Sequence, residues 1–276
     1  MKISFSKMQG VGNDFVVINN LSGDCHLTPQ QLQKIGDRRF GIGCDQILLV
    51  EAASDGVSDF FYRIYNSDGS EAGMCGNGAR CFIRYVLANN LTRKSRIQLQ
   101  TSTRIVSGQV SDNGAIEIAM GMADFTPAKI PLLLTFAKDY AIDYFGEEIE
   151  FSALSVGNPH VVIKLNSPKE LNQDNLLQQV AVYFQENQIF PESVNVNFIA
   201  VKDGVVLLRT YERGCGFTLG CGSGACASAV IAIRDGLVES PAKLKMPGGE
   251  LEVKWSGQEI TLKGNAELVY TGAIDL

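Results

Sequence analysis

The chain is written twice. Val11-Gly12-Asn13-Asp14-Phe15-Val16-Val17-Ile18 recurs as Val156-Gly157-Asn158-Pro159-His160-Val161-Val162-Ile163, identical at six of eight positions and 145 residues further on. Arg63-Ile64-Tyr65-Asn66 answers to Arg209-Thr210-Tyr211-Glu212, and Cys75-Gly76-Asn77-Gly78-Ala79 to Cys221-Gly222-Ser223-Gly224-Ala225, both at an offset of 146. Long blocks that keep their order and spacing mark a duplicated domain, because solenoids stack many short units instead. Whatever one half folds into, the other must fold into as well. The sequence therefore predicts two homologous, pseudo-twofold-related halves, 1–122 and 123–266, with Gly121-Met122-Ala123-Asp124-Phe125-Thr126-Pro127 as the connection and a C-terminal strand, 267–276, rejoining the first half. Two copies facing one another would put matching segments on the walls of one cleft, and ligand sites concentrate at such interfaces.

Each half reads mostly as strand. Residues 15–19, 46–51, 60–65, 96–100, 115–120, 160–165, 205–211 and 250–255 predict strands, several rich in β-branched and aromatic residues. Asp112-Asn113-Gly114, Lys202-Asp203-Gly204 and Pro247-Gly248-Gly249 predict turns. Residues 29–38 predict an amphipathic helix capped by Thr28, with Pro29 at its first position. Residues 79–88 and 225–233 predict a helix after each Cys-Gly-x-Gly block, and the second, Ala225-Cys226-Ala227-Ser228-Ala229-Val230-Ile231-Ala232-Ile233, is apolar all round and so buried all round. The fold class is α+β: a curved, barrel-like, mostly antiparallel sheet around a central helix, made twice.

That placement puts Cys75 and Cys221 at equivalent helix starts. The first N–H groups of a helix have no internal partner and carry partial positive charge, which biases a thiol there toward thiolate. The glycines are expected to let a ligand approach the backbone, where those N–H groups can hold a carboxylate. Two such thiols around one α-carbon can invert it, one removing the α-proton and the other returning a proton to the opposite face. Charge developing on the substrate carboxylate would be stabilised by the two helix starts. Neither metal nor pyridoxal phosphate is required. A cysteine beside a buried helix is more often a small core hydrophobe, and Cys25, Cys44, Cys81 and Cys226 keep that reading. Cys215 lies in a glycine-rich loop and receives no role. A core does not need Gly-x-Gly directly after the thiol, twice.

Composition removes the rivals. With 24 Lys and Arg against 30 Asp and Glu, the net charge of −6 argues against nucleic acid or an anionic membrane as the main partner. The longest nearly apolar run, 225–233, is far short of the roughly 20 residues that span a bilayer. The N-terminus has no apolar signal-peptide core, and seven cysteines without a Cys-x-x-Cys pair point to reduced thiols in the cytoplasm. Only Cys221 and Cys226 fall within zinc-ligand spacing, and the chain has just two histidines. Neither Gly220-Cys221-Gly222-Ser223-Gly224 nor Gly10-Val11-Gly12-Asn13 has the spacing or setting of a nucleotide-binding loop.

Met74-Cys75-Gly76-Asn77-Gly78-Ala79-Arg80-Cys81, and Tyr211-Glu212-Arg213-Gly214 with Thr218 to Ala225, closely resemble the two signatures of the diaminopimelate epimerase family. Met8 to Phe15, Arg39 to Gln46, Val156 to His160 and Pro247-Gly248-Gly249 resemble it too, so the likeness runs through the whole chain. It implies interconversion of LL- and meso-2,6-diaminopimelate without a cofactor, on the way to lysine and peptidoglycan, by a homodimer. It implies Cys75 and Cys221 as the acid/base pair, with His160 and Glu212 as polar groups supporting the thiols. Substrate contacts would fall on Asn13, Gln46, Asn66, Gly76, Asn77, Asn158, Asn195, Glu212, Arg213, Gly222 and Ser223, with Asn195 preferred over Asn197 for its role. Tyr270 would lie at the dimer interface. Two amino acid ends suit these residue types: amides serve either charge, Arg213 forks to a carboxylate and Glu212 binds an ammonium.

Other readings use the same residues. A racemase of proline or hydroxyproline type shares the thiol logic but has no use for Glu212-Arg213. A non-catalytic amino acid binding protein predicts no proton exchange, and a thiol redox protein needs no amino acid. The sequence leaves open which thiol rests as the base, since coupled groups titrate together.

Overall fold

Alternating burial along paired strands sets both faces of each sheet. The computed structural model describes Met1–Leu276, and the chain forms two compact units. The first runs Met1–Ala119 and takes back Lys263–Leu276; the second is Met120–Leu262. Unit one contains β1 (Lys2–Gly10), β2 (Asn13–Asn19), α1 (Pro29–Gly36), β3 (Gln46–Glu51), β4 (Phe60–Asn66), β5 (Glu71–Ala72), α2 (Gly76–Ala88), β6 (Arg96–Gln100), β7 (Ile105–Val110) and the start of β8 (Ile116–Met122), which crosses the boundary. Unit two follows with β9 (Tyr140–Tyr144), β10 (Glu147–Ser155), β11 (Pro159–Lys164), α3 (Asp174–Glu186), β12 (Asn195–Lys202), β13 (Val205–Glu212), β14 (Gly216–Phe217), α4 (Gly222–Arg234), β15 (Ala242–Met246), β16 (Gly249–Lys254) and most of β17 (Glu259–Gly264), which runs back into unit one. The last strand, β18 (Glu267–Asp275), pairs antiparallel with β1.

The sheets are antiparallel except at steps that recur in both copies. β2 runs parallel to β3 as β11 does to β12, and β4 to β6 as β13 does to β15. The registers align the copies residue by residue. Phe15 faces Gln46 as His160 faces Asn195, so Gln46 and Asn195 are equivalent. Gln46 in turn faces Asn66, and Val196 faces Tyr211, which makes Glu212 the counterpart of Asn66.

Within its unit, α2 packs on β1, β2, β3 and β7; α4 packs on β10 to β13, β15 and β16. Ala225 to Ala232 of α4 are all buried, as its all-round apolar sequence requires. Each fully buried Val or Ile there contributes on the order of 1.5–3 kcal/mol. In β4 and β13 every second residue turns inward: Phe60, Tyr62, Ile64 and Val206, Leu208, Thr210. α1 sets Leu32 and Ile35 against Val16, Ile18, Ile47 and Leu49. α3 sets Leu177, Val180, Ala181 and Phe184 against Phe151, Phe190 and Phe198.

Several boundaries differ from the sequence expectation. Gly121 and Met122 continue β8, so the linker begins later than expected. α1 ends at Gly36 because Asp37 leaves the helix, its carboxylate accepting the N–H groups of Arg39 and Phe40. Its start is as expected: Thr28 and Gln31 form a reciprocal capping box. α2 and α4 begin at the first glycine of each block rather than at the alanine, because the cysteine itself is the cap. No helix is long and apolar enough to cross a membrane.

Candidate active site

Each capping cysteine has extended backbone, and its sulfur accepts the N–H of the residue three further on. Gly78 donates to Cys75 Sγ, and Gly224 to Cys221 Sγ, both at 3.4 Å. These bonds satisfy one orphan donor of each helix. They also show what the second glycine of each block is for. A Cβ on Gly78 would stand 2.3 Å from the Tyr62 hydroxyl, and one on Gly224 would stand 2.5 Å from Asn197 Oδ1. Sheet packing against the first helical turn, not ligand approach, excludes a side chain at these two positions.

The Cys221 end is closed and acidic. Cys221 is 5% exposed. Its thiol donates to Glu212 Oε2 at 3.1 Å, and Ser223 Oγ lies 3.5 Å from the sulfur. Thr218 Oγ1 donates to the other Glu212 oxygen at 2.6 Å. Burial, reinforced by the Glu212 charge, pushes the Cys221 thiol well above its ordinary value. The bias toward thiolate expected at a helix start is overridden here. The helix N–H lowers the thiol's pKa, but the loss of water and the facing carboxylate outweigh it. Cys221 rests as a thiol.

The Cys75 end is more open. Cys75 is half-buried, and its thiol donates to Asn13 Oδ1 with a Sγ···O distance of 3.6 Å. The Tyr62 hydroxyl donates to the Cys75 carbonyl. No carboxylate stands where Glu212 stands in the other copy. Asn66 fills that place, with its amide held by Gln46 and Ser70. Asn77, in the first turn of α2, donates to Asn13 Oδ1 at 3.3 Å and accepts from buried Arg80 at 2.8 Å. Asn13 also donates to Asp45 at 2.7 Å, and Arg38 bridges Asp45 and Asp14. Arg38 and Lys7 together hold the Asp14 carboxyl far below its ordinary range.

His160 lies at the centre of a buried hydrogen-bond network. It is fully buried, and both ring nitrogens are engaged, Nε2 with Asn158 Oδ1 at 3.0 Å and Nδ1 with Asn197 Nδ2 at 3.1 Å. Burial, with the Arg213 charge second, lowers its pKa to about 3, so the ring is neutral at physiological pH. Asn158 in turn reaches Ser223 Oγ at 3.4 Å, in the first turn of α4. Asn195 is buried with its amide bonded to main chain, donating to the Pro159 carbonyl and accepting the Arg213 N–H. It shapes the strand end that carries Arg213. The Arg213 side chain is exposed, with Nη1 on the Glu192 carbonyl at 2.6 Å. Gly76 and Gly222 are the first helical residues. Tyr270 is 45% exposed on β18, beside exposed Leu268 and Val269. Cys215 is exposed, while Cys44, Cys81 and Cys226 are buried.

Sequence reasoning did not single out Thr218, Asp45 or Arg80, and it ranked Asn197 below Asn195. Asp45 and Asn197 have partners on other strands, 32 and 37 residues away and out of reach of local pattern. One signal was present for the His160 network: position 160 is one of only two that break the repeated eight-residue block.

The chain is thus a duplicated α+β protein with a cysteine capping the buried helix of each copy. A solved hydroxyproline epimerase from Agrobacterium vitis matches with a TM-score of 0.68 and 15% identity, covering 99% of this chain and 92% of that one. A phenazine biosynthesis protein of the PhzF family from Bacillus anthracis matches with a TM-score of 0.70 and 14% identity over the full length of both. At such identities the likeness is one of fold. The diaminopimelate epimerase profile matches residues 5–126 and 152–273. A diaminopimelate epimerase of Ectopseudomonas mendocina is 41% identical over the full length of both chains. The chain belongs to the diaminopimelate epimerase family.

Proposed function

We propose that the protein interconverts LL- and meso-2,6-diaminopimelate, in lysine and peptidoglycan precursor synthesis, by passing an α-proton between Cys75 and Cys221. The observation that carries this reading is the pair of cysteine caps, one per copy, each sulfur on the third N–H of its helix. In one direction a Cys75 thiolate removes the α-proton, and the Cys221 thiol delivers its own to the opposite face of the planar carbon. In the other direction Cys221 must be the base. Glu212, 3.1 Å away, takes its proton, and the thiolate left behind keeps the Gly224 N–H and Ser223 hydroxyl as donors. Charge building on the substrate carboxylate is met by the remaining N–H groups of the two first turns. Arg213 and Asn158 present donors suited to the carboxylate of the distal amino acid end. The chemistry is complete without a cofactor. The enzyme works in the cytoplasm as a homodimer, for which exposed Leu268, Val269 and Tyr270 on β18 offer an apolar surface.

Incubation with either isomer in D₂O tests the reading. Deuterium is expected at one α-carbon as the isomers interconvert; no incorporation by reduced protein would overturn it. Turnover of proline in place of diaminopimelate would move the protein to the proline racemase type.

A further inference from the structure

We propose that Asp45 and His160 are positioning residues that hold the repeat-equivalent asparagines Asn13 and Asn158 in opposite amide orientations, so that one presents an acceptor at its helix start and the other a donor.

In unit one the orientation follows from a carboxylate that can only accept. Asp45 Oδ2 takes the Asn13 amino group at 2.7 Å and the Asp14 N–H at 3.1 Å, while Arg38 holds its other oxygen at 2.8 Å. The free end of Asn13 is therefore its oxygen, and it accepts from Asn77 Nδ2 and from the Cys75 thiol. Asn77 is fixed from its far side by a group that can only donate, since Arg80 Nη2 gives to its oxygen. The amides are strung between a fixed anion and a fixed cation, and every orientation along the chain is determined.

In unit two the chain starts from a main-chain carbonyl. Val161 O accepts from Asn197 Nδ2 at 2.8 Å, and Thr210 Oγ1 donates to Asn197 Oδ1 at 3.0 Å. The nitrogen of Asn197 thus faces His160 Nδ1, which must accept. A neutral ring then carries its proton on Nε2 and donates it to Asn158 Oδ1. What remains of Asn158 is its amino group, directed at Ser223 in the first turn of α4.

The clamps are the places where the two copies differ. His160 stands where the first copy has Phe15, and the paired registers put Asp45 where the second copy has buried Val194. A duplicated asparagine is thereby made to offer opposite charge preference at its two occurrences, an oxygen suited to ammonium and an amino group suited to carboxylate. For the ligand this rests on the diaminopimelate reading above; for the protein it does not.

The test has two arms on the full-length enzyme. ¹⁵N-histidine NMR of the wild type, with His26 assigned from its loss in His26→Gln, is expected to show His160 as a neutral ring protonated at Nε2 between pH 6 and 8. A proton on Nδ1, or an imidazolium at pH 7, would overturn the His160 limb whatever the substrate is. The kinetic arm replaces each clamp by its counterpart, His160→Phe and Asp45→Val. KM for diaminopimelate is expected to rise about tenfold or more with a smaller change in kcat, as for lost hydrogen bonds to a charged ligand. Loss of kcat at unchanged KM would mark proton transfer instead of positioning and overturn the proposal. Should His160→Phe not fold, the wild-type spectrum still decides that limb. A wild type that leaves diaminopimelate untouched in D₂O would defeat the substrate reading, not the orientation of the amides.

Discussion

At Cys221 the thiol donates a hydrogen bond to a carboxylate; at Cys75 the corresponding position is filled by Asn66, an amide already held by Gln46 and Ser70. Cap, glycines and helix are the same at both ends, so the difference isolates what surrounds a thiol from what the helix does to it. The helix start alone does not decide the protonation state. At Cys221 removal from water and the Glu212 anion both favour the thiol, and they win. A duplicated frame can therefore supply an acid and a base from one residue type, as two-base chemistry needs.

The strongest way to break this comparison is to remove each sulfur in turn. Cys75→Ser and Cys221→Ser are each expected to lower kcat by about 100- to 10,000-fold, the usual worth of a positioned acid or base. Stereospecific α-deuterium exchange should then separate them, each variant losing exchange from a different isomer. Equal loss from both isomers would mean that the two ends are not distinct. Next comes packing. Gly78→Ala and Gly224→Ala should each cost about 1–3 kcal/mol in denaturant unfolding. Only the first has a single-atom remedy, because Tyr62→Phe removes the hydroxyl that the new methyl meets. A double-mutant cycle should show Gly78→Ala/Tyr62→Phe to be less destabilised than the sum of its parts.

Glu212→Gln sharpens the electrostatic half. Without the anion that helps to raise it, the Cys221 thiol should ionise at lower pH, and iodoacetamide should alkylate it faster at pH 8. Epimerisation should fall at the same time. Unchanged alkylation would assign the raised thiol to burial alone. The smallest effect is on stability. His160 folds neutral with a pKa of about 3, against 6.5 for an ordinary histidine. The unfolded chain therefore binds a proton that the folded chain refuses, and stability present above pH 6.5 is lost as pH falls toward 3. Unfolding free energy should drop by about 1 kcal/mol from pH 7 to 5.5 through this residue, and His160→Phe should flatten that slope.

The duplication was legible in sequence, and with it the two capped helices and eight of the strands, because the repeat states each element twice. β1 was not: its burial does not alternate, since Phe5, Ser6, Lys7 and Met8 are all buried in succession. The two cysteines were legible as helix starts, and Glu212 was named as a group beside a thiol, where the structure has it. The networks around them were not, because Asp45 reaches Asn13 across 32 residues and Asn197 reaches His160 across 37. Asn197 looked like the weaker of two candidate asparagines; burial beneath α4 turns it into the anchor of a chain.

The pairing of β1 with β18 has a consequence for how the protein is made. The two ends of the polypeptide are bonded to one another, the Met1 ammonium to the Leu276 carbonyl at 2.7 Å and the Leu276 N–H to the Met1 carbonyl at 3.0 Å. The first strand to leave the ribosome must wait for the last. Unit two, whose residues are continuous in the chain, can close during translation, whereas unit one is finished only after Lys263–Leu276 has been made. A ribosome-stalled chain lacking its final 14 residues would then display a folded second half beside a first half still open along β1.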